Sequence, residues 1–294
     1  MPPQNLKRQW LHHAVRHWRR QVNAGAPGDG AGAAVPVPAV RFFLPKPCGL
    51  AYYRSWVFDE VPPEIMKTAP NGVSAWPQAV LFDLLTALLD SWSVWNKAAG
   101  SEARGRAWRA EYLRLTYGCG AYVPYEALVQ QAACRTGLPE SACTALEAHW
   151  AELPVWPGVQ EALAIIQPHC QLAVVTNCSR RLGQLAAERL GVAWDAVITA
   201  EEVGFYKPDP RPYQLALRQL GVPHSQAAFV AGSGYDLFGT SSVGLRTYWH
   251  NRIGLALPEG APAPEMESRT LDGLVAWLEQ FQPPGQVAGK TPGG

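Results

Sequence analysis

Ala79-Val80-Leu81-Phe82 is a short apolar run that ends on a carboxylate, Asp83. Two further apolar runs end on polar groups: Leu172 to Thr176 leads into Asn177-Cys178-Ser179, and Ala227 to Ala231 leads into Gly232-Ser233-Gly234-Tyr235-Asp236. Lys207 lies in Gly204-Phe205-Tyr206-Lys207-Pro208-Asp209-Pro210, where Asp209 and Pro210 form a helix N-cap and first-turn pair that pins the loop. One carboxylate, one ammonium and several small donors can therefore converge. An aspartate attacks a tetrahedral carbon only while ionised and unsolvated, and a nearby lysine keeps it ionised as water is excluded. Each group also has a plainer reading: Asp83 as the cap of a following turn, Lys207 as a surface lysine, Thr176-Asn177 as loop satisfaction.

The elements that must position these residues follow from the same runs. Ala79 to Asp83, Leu172 to Thr176, Ala196 to Thr199, Ala227 to Ala231 and Thr247 to Trp249 have the length and apolar content of buried parallel strands. Helix-length segments such as Arg181 to Leu190 and Pro210 to Leu220 separate them. This alternation predicts an α/β fold, a Rossmann-like doubly wound parallel sheet, with ligands at the carboxyl ends of the strands. Between the first two strands, residues 93–152 show helical spacing and few strand signals, and predict an inserted helical cap domain. Pro154-Val155-Trp156-Pro157-Gly158-Val159 marks its return. The expected organisation is a basic N-terminal extension over 1–75, a catalytic core over 76–92 and 153–281, the cap, and a Pro/Gly tail over 282–294.

Four segments, in order, resemble the successive motifs of the haloacid dehalogenase superfamily: Phe82 to Thr86, Val174 to Asn177, Tyr206 to Tyr213, and Val230 to Asp236. The helical insert after the first motif, the Lys-Pro-Asp-x-Arg-x-Tyr run and the Trp249-His250-Asn251-Arg252 ending resemble its L-2-haloacid dehalogenase branch. The resemblance covers about Trp76 to Phe281. It implies a hydrolase with Asp83 as nucleophile, an aspartyl-ester intermediate, Lys207 as charge partner and Asp236 orienting the hydrolytic water. Thr176 and Asn177 would hold the substrate carboxylate or the leaving halide, with Thr86, Ser233 and Tyr213 counted among the substrate-binding groups. The implied substrate is a small organic acid, most directly a short 2-halo acid, with no cofactor and no metal; a homodimer is compatible with it.

The chain also departs from the pattern. Magnesium-dependent phosphatases of the superfamily carry a second aspartate two residues after the nucleophile, where this chain has Leu85, and an acid beside the fourth strand, where it has Ala231-Gly232-Ser233. A halide needs neither a proton nor a metal to leave, so carbon–halogen displacement suits this set better than phosphoryl transfer. The alternatives are a magnesium-dependent phosphatase and a catalytically weakened relative that binds a metabolite or partner. Ala87 stands where the dehalogenase pattern has a hydroxyl, with Thr86 one position early. For the anion-binding arginine of the cap, an ungapped count back from Glu111-Tyr112 matches Arg106, which is the residue expected to bind the anion; one gap on Trp108 would choose Arg109 instead, which is otherwise expected to be an exposed neighbour of minor effect. Trp92, Trp95 and Tyr125 are candidate pocket walls or plain core.

Composition narrows the remaining classes. With 25 Lys+Arg against 24 Asp+Glu the formal charge is +1, which disfavours a dedicated nucleic-acid binder. No apolar run reaches the roughly 18–20 residues of a membrane span and no secretory h-region opens the chain, so a cytoplasmic protein is expected. The first turns carry Lys7, Arg8, Arg16, Arg19 and Arg20 with no acid before Asp29, and organelle targeting is the minority reading. His12, His13 and His17 lack a third ligand type and read as a solvated face. Gly285 to Thr291 imitates a phosphate-binding loop but its glycine spacing is one short. Six cysteines without a C-x-x-C pair are expected to be reduced and mostly buried.

Overall fold

A computed structural model of the protein describes residues 76–281. The N-terminal extension with its basic leader and histidines, the C-terminal tail and its Gly285 to Thr291 segment lie outside the described residues.

The central strand β1 (Ala79–Phe82) is flanked by β2 (Gln171–Thr176) and β4 (Ala227–Ala231); β3 (Ala196–Thr199) lies beyond β2, and β5 (Arg246–His250) and β6 (Met266–Ser268) lie beyond β4. The order is therefore β3-β2-β1-β4-β5-β6, and every pairing is parallel. Alternation along β1 splits the core in two. Val80 and Phe82 pack on one face with α5 (Val159–Ile166), α6 (Arg180–Glu188) and α10 (Leu274–Glu279). Ala79 and Leu81 pack on the other with α8 (Pro210–Leu220) and α9 (Asp236–Ser242). A strand covered on both sides has no polar face, which is why β1 reads as an uninterrupted apolar run. The strand β6 was not expected from sequence: it is only Met266-Glu267-Ser268, partly exposed, with no apolar run to announce it.

The insertion consists of α1 (Ser91–Ala99), α2 (Glu102–Gly118), α3 (Tyr125–Arg135) and α4 (Glu140–Ala148), followed by a 3-10 turn at Trp150–Glu152. Asp90 caps α1 by accepting from the Ser93 amide at 3.1 Å, so the helix starts two residues before the expected boundary. α1 and α2 cross closely at Gly105, where a Cβ would stand 2.3 Å from the Asn96 side chain. Leu89 and Val155 form an antiparallel bridge where the chain leaves and returns. The cap is tied to the core by Tyr206 Oη donating to the Val123 carbonyl at 2.8 Å and Tyr112 Oη donating to the Asn177 carbonyl at 3.0 Å.

The five described cysteines are free. Cys170 and Cys178 are buried, Cys119 and Cys143 intermediate, and Cys134 exposed, so burial is less general than expected. Among the described residues no helix is long and apolar enough to cross a membrane.

Candidate active site

Pairing of Phe82 with both Val174 and Val230 brings the ends of β2, β1 and β4 to one edge of the sheet. This is the switch in strand order, where a doubly wound sheet opens a crevice. Asp83 sits there with only 6% exposure, its amide donating to the Val230 carbonyl at 2.9 Å. Its two carboxylate oxygens have different partners. Oδ1 accepts from Lys207 Nζ at 2.7 Å. Oδ2 accepts from the Thr86 amide at 2.9 Å, the Thr86 hydroxyl at 2.5 Å and the Ala87 amide at 3.2 Å. The hydroxyl that the resemblance places at 87 is thus supplied from 86, while residue 87 contributes its backbone.

Thr86 reaches this position because Gly232 has no side chain. A Cβ there would stand 2.2 Å from the Ala87 nitrogen and 2.3 Å from Thr86 Oγ1. Lys207 is shared: its Nζ also lies 2.9 Å from Asp236 Oδ1, the atom that accepts from Tyr213 Oη at 2.9 Å. Burial opposes ionisation of Asp83, but the Lys207 charge and hydrogen bonds from Lys207 and Thr86 outweigh it and hold the carboxyl below its ordinary value. Burial pushes Asp236 the other way; Lys207 pulls against the rise and the neighbouring Asp83 charge adds to it. Burial also works against the Lys207 ammonium, and the two carboxylates more than compensate, leaving its pKa raised. Two acids tuned apart are the usual mark of divided roles.

Three expected substrate contacts are corrected. Tyr213 is fully buried and holds Asp236. Thr176 is buried in β2, its hydroxyl beside Cys178 Sγ at 3.5 Å, and does not line the cavity. Arg106 is also displaced from the site. Its side chain is 38% exposed and pairs with Glu102 at 2.7 Å, because three residues of helix, about 4.5 Å of rise, carry it short of the cavity. Arg109, which the gapped count selects, lines the cavity and is 8% exposed. Its Nη1 donates to Ser91 Oγ at 2.8 Å, and its guanidinium lies 4.1 Å from the Trp92 ring centroid. Burial pulls its pKa down, yet a guanidinium stays protonated in proteins.

Asn177, Thr86 and Ser233 do line the cavity. The Asn177 side chain is a bracket for Lys207, accepting from its amide at 2.7 Å and donating to its carbonyl at 3.0 Å. Burial pushes the adjacent Cys178 thiol up to about 12, so it is no competing nucleophile. Trp92, Trp95 and Tyr125 form part of the wall. Sequence reading missed Tyr112, Leu113 and Tyr117, which line it from α2. Their spacing from Arg109, at i+3, i+4 and i+8, marks one helix face and was available as a signal.

A divalent cation does not fit these residues. Lys207 Nζ stands between Asp83 and Asp236, and the Ala231-Gly232-Ser233 turn offers no carboxylate to complete an oxygen shell. Among the described residues no group of three or more His, Cys, Asp or Glu could hold a metal.

A parallel sheet of this order with a buried aspartate at the central strand end, a lysine beside it and a helical insert after it defines a class of hydrolase. The haloacid dehalogenase-like hydrolase family model matches residues 78–239, and the chain belongs to that family. Over 218 residues it is 28% identical to the (S)-2-haloacid dehalogenase H-109 of Pseudomonas putida, covering 68% of this chain and 97% of that one. Over 227 residues it is 29% identical to the (S)-2-haloacid dehalogenase 4A of Burkholderia cepacia, covering 70% and 94%. The crystal structure of the L-2-haloacid dehalogenase RSc1362 superposes with a TM-score of 0.63 at 25% identity, covering 69% of this chain and 99% of that one.

Proposed function

We propose that the protein hydrolyses the carbon–halogen bond of a short 2-halo acid through an ester on Asp83. The observation that carries this reading is a cavity in which a buried, ionised aspartate shares the walls with a buried arginine whose partners are a serine hydroxyl and tryptophan rings, not a carboxylate. Such a cation is left to meet an anion brought by the substrate. The cavity volume of about 80 Å³ corresponds to roughly three waters at liquid density, the scale of an acid of a few heavy atoms.

In the first step Asp83 Oδ1 attacks the halogen-bearing carbon from the side opposite the halogen. The carbon–halogen bond breaks and the halide leaves with its electron pair beside Arg109. Oδ2 becomes the carbonyl oxygen of the ester. In the second step Asp236, whose raised pKa suits a base, takes a proton from water as the water oxygen attacks Cγ. Negative charge gathers on Oδ2, facing the Thr86 and Ala87 amides and the Thr86 hydroxyl. The Cγ–Oδ1 bond then breaks, the product oxygen takes up the proton held by Asp236, and the second proton of the water leaves the regenerated Asp83 carboxyl for solvent, restoring the carboxylate. The substrate carbon is attacked only once, so its configuration inverts.

The test is a panel of 2-halo acid enantiomers and phosphomonoesters, each with and without chelator. Halide release from one enantiomer, insensitive to chelator and giving the inverted hydroxy acid, is expected. Magnesium-dependent phosphate release without halide release would refute the proposal.

A further inference from the structure

The ester-hydrolysis step just proposed needs two backbone amides aimed at one oxygen, and backbone amides are aimed by whatever holds their peptide planes. The carbonyls of the turn after Asp83 are held one by one. Ser91 Oγ donates to Leu85 O at 2.6 Å, Trp156 Nε1 to Thr86 O at 3.2 Å, His250 Nδ1 to Ala87 O at 2.7 Å, and the Trp156 amide to Leu88 O at 3.0 Å. In a trans peptide the carbonyl and the next amide lie in one plane and point oppositely. Gripping Thr86 O therefore aims the Ala87 N–H, and gripping Ala87 O fixes the plane on the other side of the Ala87 Cα.

Resting on the dehalogenase reading, we infer that Trp156 and His250 are positioning residues that clamp the nucleophile turn from outside the cavity and keep the Ala87 amide aimed at Asp83 Oδ2. Neither residue lines the cavity. Trp156 comes from the segment returning from the cap and His250 from the end of β5, so two separate parts of the chain converge on adjacent carbonyls. A carbonyl only accepts, so His250 Nδ1 carries the proton. Burial holds the imidazole below its ordinary pKa and so in the neutral form. His250 is fully buried, and a merely space-filling role at this point would be met by an apolar side chain. Gly232 completes the fit by letting the turn approach β4 more closely than any side chain at 232 would allow.

The two half-reactions separate positioning from general structure. Removing an oxyanion donor outright costs about 10²–10³ in rate, and mis-aiming one costs less. Trp156→Phe and His250→Leu are each expected to slow decay of the covalent ester, followed by mass spectrometry in rapid-quench samples, by about tenfold, with a smaller effect on ester formation. His250→Asn keeps a nitrogen donor near the Nδ1 position and is expected to stay within about threefold of the wild-type rate. In the substrate-free protein, hydrogen exchange at the Ala87 amide should quicken in Trp156→Phe and His250→Leu but not in His250→Asn. Wild-type ester decay in both donor-less variants overturns the inference, as does equal loss in His250→Leu and His250→Asn. If His250→Leu does not fold, Trp156→Phe decides, since it removes the indole N–H donor while keeping an aromatic ring at a half-buried position. A wild-type chain that forms no ester refutes the dehalogenase reading, and unchanged Ala87 exchange in Trp156→Phe refutes the clamp independently.

Discussion

Replacement of Arg109 by methionine separates binding chemistry from stability because the two effects are expected to have opposite signs. The guanidinium is buried, fixed by Ser91 Oγ at 2.8 Å and stacked over Trp92 at 4.1 Å, so its desolvation is met on folding and not on substrate binding. A preorganised donor of this kind is worth about 2.7–4 kcal/mol in the transition state, a factor of about 10²–10³. The halide charge grows only as the carbon–halogen bond breaks, so the loss should fall on kcat more than on KM. For stability the balance differs. The variant forgoes a cation–π contact of about 2 kcal/mol, but it relieves the burial of a charge without a carboxylate partner, a penalty of several kcal/mol. Tm should therefore be unchanged or higher. Arg106→Ala is the control: it removes an exposed i,i+4 pair with Glu102, worth about 0.3–0.5 kcal/mol, and should leave kcat/KM within about twofold. Chloride release from a 2-chloro acid, measured beside thermal melts, reads both quantities. A crippled Arg106→Ala enzyme, or an Arg109→Met enzyme within tenfold of wild type, would refute the placement of the anion against Arg109.

Asp83→Asn should abolish halide release with the fold retained, and in heavy-oxygen water the wild-type protein should acquire label in Asp83 over repeated turnovers; label confined to product would show direct attack by water on the substrate. Asp236→Asn should form ester but accumulate it, detected as a mass increase on the peptide containing Asp83. Because burial raises the Asp236 pKa, its base form is lost as pH falls through a value above the ordinary 3.8, so the acid limb of ester hydrolysis should lie above that value and vanish in Asp236→Asn. Gly232→Ala places a Cβ 2.2 Å from the Ala87 nitrogen and should lower Tm by an overpacking cost of about 1–3 kcal/mol while reducing activity; wild-type turnover in that variant would show that the turn has room to shift.

Local pattern was enough to read much of this protein. The apolar run Ala79 to Phe82 and its parallel neighbours announce a sheet buried on both faces, because two covered faces admit no polar alternation. A carboxylate at the end of the first run and a lysine in a loop pinned by the Asp209-Pro210 helix start stand out by residue type and motif order. Residues whose meaning depends on what lies opposite them did not yield to that reading. Arg106 and Arg109 share one helix and one chemistry, and only the packing of α2 over the β1 end buries the second and leaves the first with Glu102. Tyr213 has the composition of a binding residue, yet the packing of α8 against β2, β3 and α9 turns its hydroxyl to Asp236. Thr86 looks like a misplaced hydroxyl until Gly232, 146 positions along by the numbering, supplies the space that lets it reach Asp83. The grip of Trp156 and His250 on the Thr86 and Ala87 carbonyls has no local trace, since hydrogen bonds between distant segments are set by how strands and insert close on one another. Residue type and spacing determined which groups could act; the converging chain segments decided which oxygen, which arginine and which amide they act upon.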